Sequence, residues 1–457
     1  MSCLGIRKRC QFALVPVIAV VASFGCAGTR PAGDASSVSR SIDERFGQRL
    51  GPNGAVDEAI VPPGLSLGQP LVEDQAVLLA LWNNPAFLEL LVDLKLTRAD
   101  LVQAGLLPNP EIVFTFGVQD KPFKYLFDFP IESLWLRPIR IAAAEQENAR
   151  ACARLTQAAL DLIRDTRQAY ADVALARERL RVAEQAVALR SRIAELAATR
   201  LKAGDASVQD AATARTDALQ AKQDATRIGF EIPLAEVRLK NLTGLAGMTA
   251  PLVLDADRPD PMGEFDADAL VAEAIQTRPD AIAAEFAVQA AAKRVEFARL
   301  FWFRFLGILD ATSGRVTGHE FSPAFRVTIP LFNRNQGGVA RADAELEQAV
   351  RRKLSVQNQI VLDVRLAHTR HRQSRSELVV LRESVRPEVE AGIQRAEKAF
   401  SNGNVSYLIV LEITRQLIDT YTREAQLRAD LRRAWADLER SVGRRLETPP
   451  AVKEPAR

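Results

Sequence analysis

Two short stretches of the chain, Lys202-Ala-Gly-Asp-Ala-Ser207 and Ser401-Asn-Gly-Asn-Val-Ser406, follow one pattern 199 positions apart. In each stretch a Gly is followed by Asp or Asn, which are residues that suit a tight reversal of the chain. The same offset relates Leu239–Gly244 to Leu438–Gly443. Because the markers recur in the same order, we infer that the chain consists of two copies of one unit.

The first copy is predicted at residues 71–250 and the second at 251–446, with the same order of elements in each. Long stretches in which apolar residues recur at every third or fourth position predict helices that pack as coiled coils. These helices cover about 75–106, 134–203 and 208–244 in the first copy, and about 268–300, 337–402 and 407–443 in the second. Pro233 and Pro387 are expected to kink or break their helices, because proline removes a backbone donor.

Between the first two helices of each copy, the sequence alternates with a period of two. In Phe123-Lys-Tyr-Leu-Phe-Asp-Phe129 the aromatic residues fall on one face and the charged residues on the other. Two strands are predicted at about 111–131 and two at about 301–330, starting at Phe301. A half-buried strand of a soluble protein alternates in the same way, but four such segments in an exported chain favour a water-filled barrel with lipid outside. No later apolar run is long enough for a membrane-spanning helix.

The N-terminal residues are typical of a targeting segment. A basic cluster and a short apolar run within residues 1–25 predict a signal peptide. Small residues directly before Cys26 resemble the cleavage box of bacterial lipoproteins, so we expect a lipid anchor on Cys26, with ordinary cleavage near the same place as the alternative. Residues 26–70 are predicted to be an extended tether and residues 447–457 a flexible tail.

Composition and motifs exclude several functions. The 60 Lys and Arg residues nearly balance 57 Asp and Glu residues, which argues against nucleic-acid binding by bulk charge. His368 and His371 have a spacing that suits a metal, but no Cys or third His is placed to complete a site. The sequence has no phosphate-binding loop, serine-nucleophile or zinc-protease motif. We therefore predict a protein that needs no cofactor and is not an enzyme.

The run Ala104-Gly-Leu-Leu-Pro-Asn-Pro110, which follows Asn83-Asn84-Pro85, resembles the first-repeat signature of the TolC family of outer-membrane efflux proteins. The similarity extends from about Leu71 to Leu446 once the duplication is included. It implies an α+β membrane duct made of a homotrimer. Four strands per protomer would contribute to a twelve-stranded barrel in the outer membrane, and the long helical hairpins would form a tunnel in the periplasm.

The resemblance also implies a function and partners. The chain would be the outer-membrane channel subunit of a tripartite efflux pump, releasing small molecules or metal ions that a periplasmic adaptor and an inner-membrane pump hand over. Outer-membrane lipid would be its other partner. Two alternatives are the exit duct of a type I protein-secretion system and a lipid-anchored coiled-coil scaffold that does not span the membrane. The scaffold explains the helices but not the four alternating strands.

In the family, the turns at the periplasmic ends of the hairpins dock the adaptor. Here these tip turns are Arg200–Asp205 and Phe400–Asn404. The residues expected to contact the adaptor are Arg200, Leu201, Gly204, Phe400 and Gly403. Turn geometry alone would also explain the two glycines.

The family also implies a narrow aperture lined by acidic residues, six and nine positions after the second tip Gly. Those positions hold Ile409 and Glu412, so a trimer would carry one ring of carboxylates and one apolar ring. The carboxylates would favour cations, and the apolar ring would be a hydrophobic constriction. Asp210 resembles a residue that latches the closed tip, with Arg215 or Arg415 as its partner. Each of these charges would otherwise be an ordinary solvated group on a helix surface.

Overall fold

The structure, a computed structural model, describes residues 33–52, 59–66, 68–118, 121–255, 259–314, 318–402 and 404–447. The predicted signal peptide, the predicted lipid anchor Cys26 and the turn residue Gly403 lie outside these residues and stay predictions. The chain divides into two compact units. One contains Leu91–Leu155 and Asp280–Val356, and the other contains Ser39–Leu90, Thr156–Pro279 and the chain from Gln357 onward.

Both halves of the described chain follow one order of elements, as the repeat predicts. After α1 (Ala35–Phe46), the first half consists of α2 (Glu73–Asn83), α3 (Pro85–Gly105), β1 (Glu111–Val118), β2 (Lys121–Pro130), α4 (Ser133–Ala203), α5 (Val208–Gly229) and α6 (Glu231–Leu242). The second half consists of α7 (Ala267–Thr277), α8 (Pro279–Leu300), β3 (Phe305–Gly314), β4 (Gly318–Val327), α9 (Gln336–Val380), a π-helical turn (Leu381–Val385), α10 (Arg386–Ser401) and α11 (Tyr407–Val442).

The first predicted helix of each repeat is broken in two at the same place. Asn84 and Arg278 have extended backbones with ψ of 116° and 135°, because the proline that follows each of them disfavours the helical conformation. Each side chain then contacts the end of its own repeat. Asn84 Nδ2 donates to Leu242 O over 3.0 Å, and Arg278 Nη1 donates to Ser441 O over 3.2 Å. The two acceptors stand 199 positions apart, so the duplication is visible in single hydrogen bonds.

Two prolines inside predicted helices are accommodated differently. In the first repeat the helix ends at Gly229 and restarts at Glu231, which places Pro233 in a first turn where its missing N–H costs little. In the second repeat the residues before Pro387 form a π-helical turn, in which Arg386 N donates to Leu381 O. The wider turn accommodates the backbone donor that proline lacks, so this helix widens where a kink or break was expected.

The four strands form one antiparallel sheet in the order β1-β2-β3-β4. The register aligns Phe114, Tyr125, Ala311 and Phe321 across one face, so the aromatic residues of different strands lie together. The opposite face aligns Thr115, Lys124, Thr312 and Glu320 in the same way, and on it Lys124 Nζ lies 2.8 Å from an Asp310 carboxylate oxygen. The predicted separation of aromatic and polar faces is therefore present across the sheet.

The predicted start of the third strand was wrong. The strand begins at Phe305, and the alternation of Phe301, Trp302 and Phe303 does not reflect a β conformation. Phe301 N donates to Phe297 O over 2.9 Å and Phe303 N to Leu300 O over 3.2 Å, so the chain continues the last turn of α8 here. Residues 301–304 are an exposed connector between helix and strand.

The predicted extended tether at residues 26–70 was wrong in part, because it contains α1. Val38, Ile42 and Phe46 recur every fourth position and are almost completely buried, so the short helix has one apolar stripe. Arg45 fixes its end, since Nη1 donates to Gly443 O over 2.9 Å and Nη2 to Thr277 O over 2.8 Å. The burial of this stripe outweighs the weak helix propensity of the serine-rich segment.

Among the described helices, no single one has the length and apolar character required to cross a membrane. Taken together, α2 and α3 meet those two criteria as a pair bent by 48°.

Candidate functional site

The first tip turn reverses the chain between α4 and α5. Gly204 has a φ of +84°, the left-handed conformation that a side chain would strain. Asp205 N donates to Arg200 O over 2.9 Å and closes the turn. The next helix is capped, because Ser207 Oγ accepts from Asp210 N over 3.0 Å. Local turn chemistry therefore explains the shape of this segment.

The second tip turn repeats this geometry between α10 and α11. Asn404 N donates to Ala399 O over 2.9 Å, which is the equivalent of the bond from Asp205 to Arg200. Ser406 occupies the cap position of α11 but makes no side-chain cap hydrogen bond. The two turns thus share a backbone design and differ in how their return helices begin.

An apolar cluster joins the two hairpins behind the turns. It contains residues from four helices: Ile193, Ala197, Ala214, Ala396, Phe400, Tyr407, Val410 and Leu411. Phe400 and Tyr407 are 4% exposed each, and their ring centroids are 6.3 Å apart. Because the cluster draws on both repeats, the two turns are held as one structure.

Arg200 and Phe400, which the sequence predicts as two separate docking residues, contact each other. Arg200 Nη1 donates to Phe400 O over 3.1 Å, and Nη2 donates to Asp205 O over 3.1 Å. The guanidinium carbon lies 4.9 Å from the centroid of the Phe400 ring, within the range of a cation–π interaction. The Arg200 side chain therefore connects the two turns, while Leu201 is half-buried and Gly204 exposed beside it.

A buried hydrogen bond that the sequence did not predict also crosses between the repeats. The Tyr407 hydroxyl donates to Asp217 Oδ2 over 2.7 Å, and the two residues are 4% and 7% exposed. Burial, and then the bond to Asp217, raise the pKa of Tyr407 well above its usual value. The bond ties the first residue of α11 to the middle of α5. The two residues are 190 positions apart, and no motif marks them as partners.

The predicted aperture residues lie just beyond this bond. Ile409 is 46% exposed and Glu412 is exposed, and their spacing of three places both on one side of α11. Glu412 Oε1 accepts from Gln416 Nε2 over 3.2 Å within the same helix. Asp210 lies in the first turn of α5, where a negative charge suits the helix dipole. The latch that the sequence predicts between Asp210 and Arg215 or Arg415 stays a prediction.

The two helical histidines have structural partners. His368 Nε2 is 3.0 Å from Phe265 O, and His371 Nε2 is 3.1 Å from Pro261 O, so both rings hold the same segment against α9. His371 is buried beside Trp435, with ring centroids 5.4 Å apart. No group of three or more metal-ligating side chains occurs among the residues that the structure describes.

Comparison with known proteins decides the class of this duplicated fold. The outer membrane efflux protein family matches residues 129–245 and 270–444, which is more than half of the chain. The chain belongs to this family. It is also 25% identical over 408 residues to the cobalt-zinc-cadmium resistance protein CzcC of Cupriavidus metallidurans, covering 86% of this chain and 97% of that protein.

Two solved structures have a similar fold, one of CusC, described by its transmembrane channel formation, and one of the outer membrane protein VceC. CusC matches with a TM-score of 0.69 and 17% identity over 86% of this chain and 99% of its own. VceC from Vibrio cholerae matches with a TM-score of 0.68 and 18% identity over 82% and 97%. The predicted resemblance and the duplicated α+β fold are thereby confirmed. As an outer membrane efflux protein, the chain is a channel subunit located in the outer membrane, and its family comprises transport proteins rather than enzymes.

Proposed function

We propose that three copies of this efflux protein form one continuous duct, which receives its cargo from a periplasmic adaptor and an inner-membrane pump. The single observation that supports this most strongly is the sheet. Its order leaves β1 and β4 as edge strands, each paired on one side only within the described chain. Unpaired backbone groups are too costly to leave facing lipid, so the edges require partners.

The geometry of the sheet suits closure by identical copies. The four strands alternate in direction, so β4 of one protomer lies antiparallel to β1 of the next in any closed ring. Three protomers then supply twelve strands, as the family resemblance implies. The aromatic face would contact lipid, and the face with Lys124 and Asp310 would line water.

Disulfide cross-linking between protomers tests this arrangement. Thr115→Cys in β1 would be combined, one at a time, with Glu320→Cys, Ser322→Cys or Ala324→Cys in β4, which lie on the same face. The background would have Cys26 and Cys152 replaced by Ala. We expect one combination to give covalent dimers and trimers in outer-membrane fractions, while each single variant stays monomeric on denaturing gels. Absence of cross-links in all three registers would contradict trimer closure through these edges.

The cargo that we propose is a divalent transition-metal cation. The relative with 25% identity over most of both chains is a cobalt-zinc-cadmium resistance protein. A ring of three Glu412 carboxylates at the aperture would attract such cations without holding them tightly. The Ile409 ring beside it would restrict leakage when the tip is closed. Growth of a strain that lacks its own metal-efflux channel tests the proposal: restored tolerance to zinc, cobalt or cadmium supports it, and restored tolerance to drugs alone contradicts it.

We also propose that the tip turns dock the adaptor, and that some of the predicted residues contact it while others hold the two turns together. Arg200 and Phe400 are engaged with each other, whereas Leu201 and Gly204 have free surface in the protomer. Leu201→Asp should therefore weaken adaptor binding without changing the fold of the tip. Pull-down with the cognate adaptor measures this, and Leu234→Asp, the same substitution at an exposed leucine of α6, is the matched control.

A further inference from the structure

The segment that connects the two repeats crosses both α9 and α11. Its described residues 259–266 have no regular secondary structure, and we name them the linker clamp. Met262 of the clamp packs against a buried apolar cluster, to which α9 contributes Leu378 and α11 contributes Leu427 and Leu431. These leucines are at most 4% exposed. One side chain of the clamp therefore contacts the seam between the two helices.

Hydrogen bonds and aromatic rings attach the rest of the clamp to the same two helices. His371 Nε2 lies 3.1 Å from Pro261 O. His368, one turn away on α9, has its Nε2 atom 3.0 Å from Phe265 O. The Phe265 ring packs on Trp435 of α11, with ring centroids 5.6 Å apart. The clamp is thus bound to α9 through its backbone and to α11 through a side chain.

Asp260 is the charged centre of the linker clamp. Its side chain is 6% exposed, and its carboxylate accepts from Arg382 Nη2 over 2.9 Å. Arg428 Nε and Arg432 Nε of α11 lie 3.2 Å and 3.5 Å from oxygens of the same carboxylate. Arg382 also donates from Nε to Glu424 of α11 over 2.9 Å. Because a buried carboxylate is costly to leave without its cations, these ion pairs favour contact between the clamp and the helices.

The ion pairs end at the place where the long helix of the second repeat loses its regular geometry. Arg382 belongs to the π-helical turn Leu381–Val385, and no residue of this turn is buried. Among the described residues, no hydrogen bond or ion pair of the clamp reaches α10, which follows the turn. Irregular turns within a helix are places where the helix can bend. The clamp therefore fixes the helix on one side of such a turn and not on the other.

We infer that the linker clamp limits how far the tip can open, with the π-helical turn as the hinge. The clamp holds α9 against residues 424–435 of α11, so these helices stay together when the tip changes shape. Beyond the turn, α10 and the first half of α11 are joined by contacts such as that of Phe400 with Tyr407, and their angle can change. The inference rests on the proposed function, because it assigns to the clamp the regulation of the tip that would close the duct.

Amide hydrogen exchange of the full-length protein in detergent tests the clamp. In the wild type, α10 should exchange faster than residues 368–380, because the hinge opens without breaking the clamp. Asp260→Asn removes the charge and keeps the shape of the side chain, so exchange at residues 368–380 and 424–435 should rise by about 10-fold. Asp430→Asn on α11 is the matched control. Asp430 is 37% exposed and pairs with Arg433 over 2.7 Å, so its loss should leave both segments unchanged.

Single-channel recording in planar bilayers adds a functional readout. Weakening the clamp should increase the mean current of Asp260→Asn at a fixed voltage. Asp260→Glu restores the charge and should return the current toward the wild-type value. Met262→Ala removes the apolar contact and leaves every ion pair of the clamp in place. It should raise exchange in the same two segments, and it replaces Asp260→Asn if that variant does not fold.

Each result bears on a different part of the inference. Equal protection of α10 and residues 368–380 in the wild type would refute the hinge. An increase in exchange confined to residues 259–266 would mean that this segment only covers the helices, which refutes the clamp. Faster exchange with an unchanged current would refute its role in limiting the tip. If neither the wild type nor the variants form channels, the proposed function fails, and the exchange results alone decide on the clamp.

Discussion

Replacing Tyr407 with Phe removes one hydroxyl from the tip and leaves the Asp217 carboxylate buried without a hydrogen bond of 2.7 Å. Both residues are less than a tenth exposed, so water cannot easily replace the lost donor. A hydrogen bond to a charged group contributes about 1.5–3 kcal/mol to stability. At 1.4 kcal/mol for each factor of ten, Tyr407→Phe should increase the population of opened tips by about 10- to 150-fold.

Amide hydrogen exchange of the purified protein in detergent measures this population. Peptides that cover residues 404–417 should exchange faster in Tyr407→Phe by up to the same factor. The pKa of Tyr407 is raised, so the contribution of its hydrogen bond to stability depends on pH. This contribution is complete below the ordinary tyrosine pKa near 10 and is lost as pH rises through the raised value. At pH 7 the effect of the substitution should therefore have its full size.

Tyr421→Phe is the matched control on the same helix. The Tyr421 hydroxyl donates to Glu390 over 2.8 Å, but Glu390 is only half-buried and also accepts from Arg386 over 2.7 Å. Its loss should leave exchange at residues 404–417 unchanged. If Tyr407→Phe changes that exchange by less than a factor of about two, the pair does not hold the tip closed.

Three further predictions concern other parts of the chain. Arg167→Met leaves the buried Glu439 carboxylate without its ion pair, so the free energy of unfolding in urea should fall by about 3–5 kcal/mol. Adding Glu439→Leu removes the unpaired charge and should recover much of the lost free energy. Burial lowers the pKa of His371, so the contribution of this histidine to stability is present above pH 6.5 and is lost as pH falls through the lowered value. The fluorescence of Trp435, which packs on His371, should follow this acid transition, and His371→Gln should abolish the transition. In planar bilayers Glu412→Gln should reduce cation preference, and unchanged selectivity would place the filter elsewhere.

The repeat made most of the fold predictable. Helices and strands appear in the predicted order because each copy carries the same turn and proline markers. The breaks at Asn84 and Arg278 were missed, although both precede proline, because the apolar pattern continues across them. The alternation at Phe301–Phe303 predicted a strand where hydrogen bonds continue a helix, since a short period-two pattern cannot exclude a turn.

The candidate site was predictable only in part. Its turn residues follow from local chemistry, and the exposure of Glu412 follows from its position on a helix. The contacts of Arg200 with Phe400 and of Tyr407 with Asp217 join residues about 200 positions apart, and one sequence contains no local signal for such pairs. The same limit applies to α1, whose three buried apolar residues are few enough to pass for part of a loop.

The hydrogen bonds of α1 connect the N-terminal part of the described chain to its C-terminal part, so that force can pass between them. Arg45 donates to the carbonyl oxygens of Thr277 and Gly443, and its own carbonyl accepts from Arg445 N over 2.8 Å. A pull applied to the chain before residue 35 is therefore borne by the ends of α7 and α11. The other end of α11 carries Ile409 and Glu412, so tension applied at α1 would reach the helix on which these two residues lie.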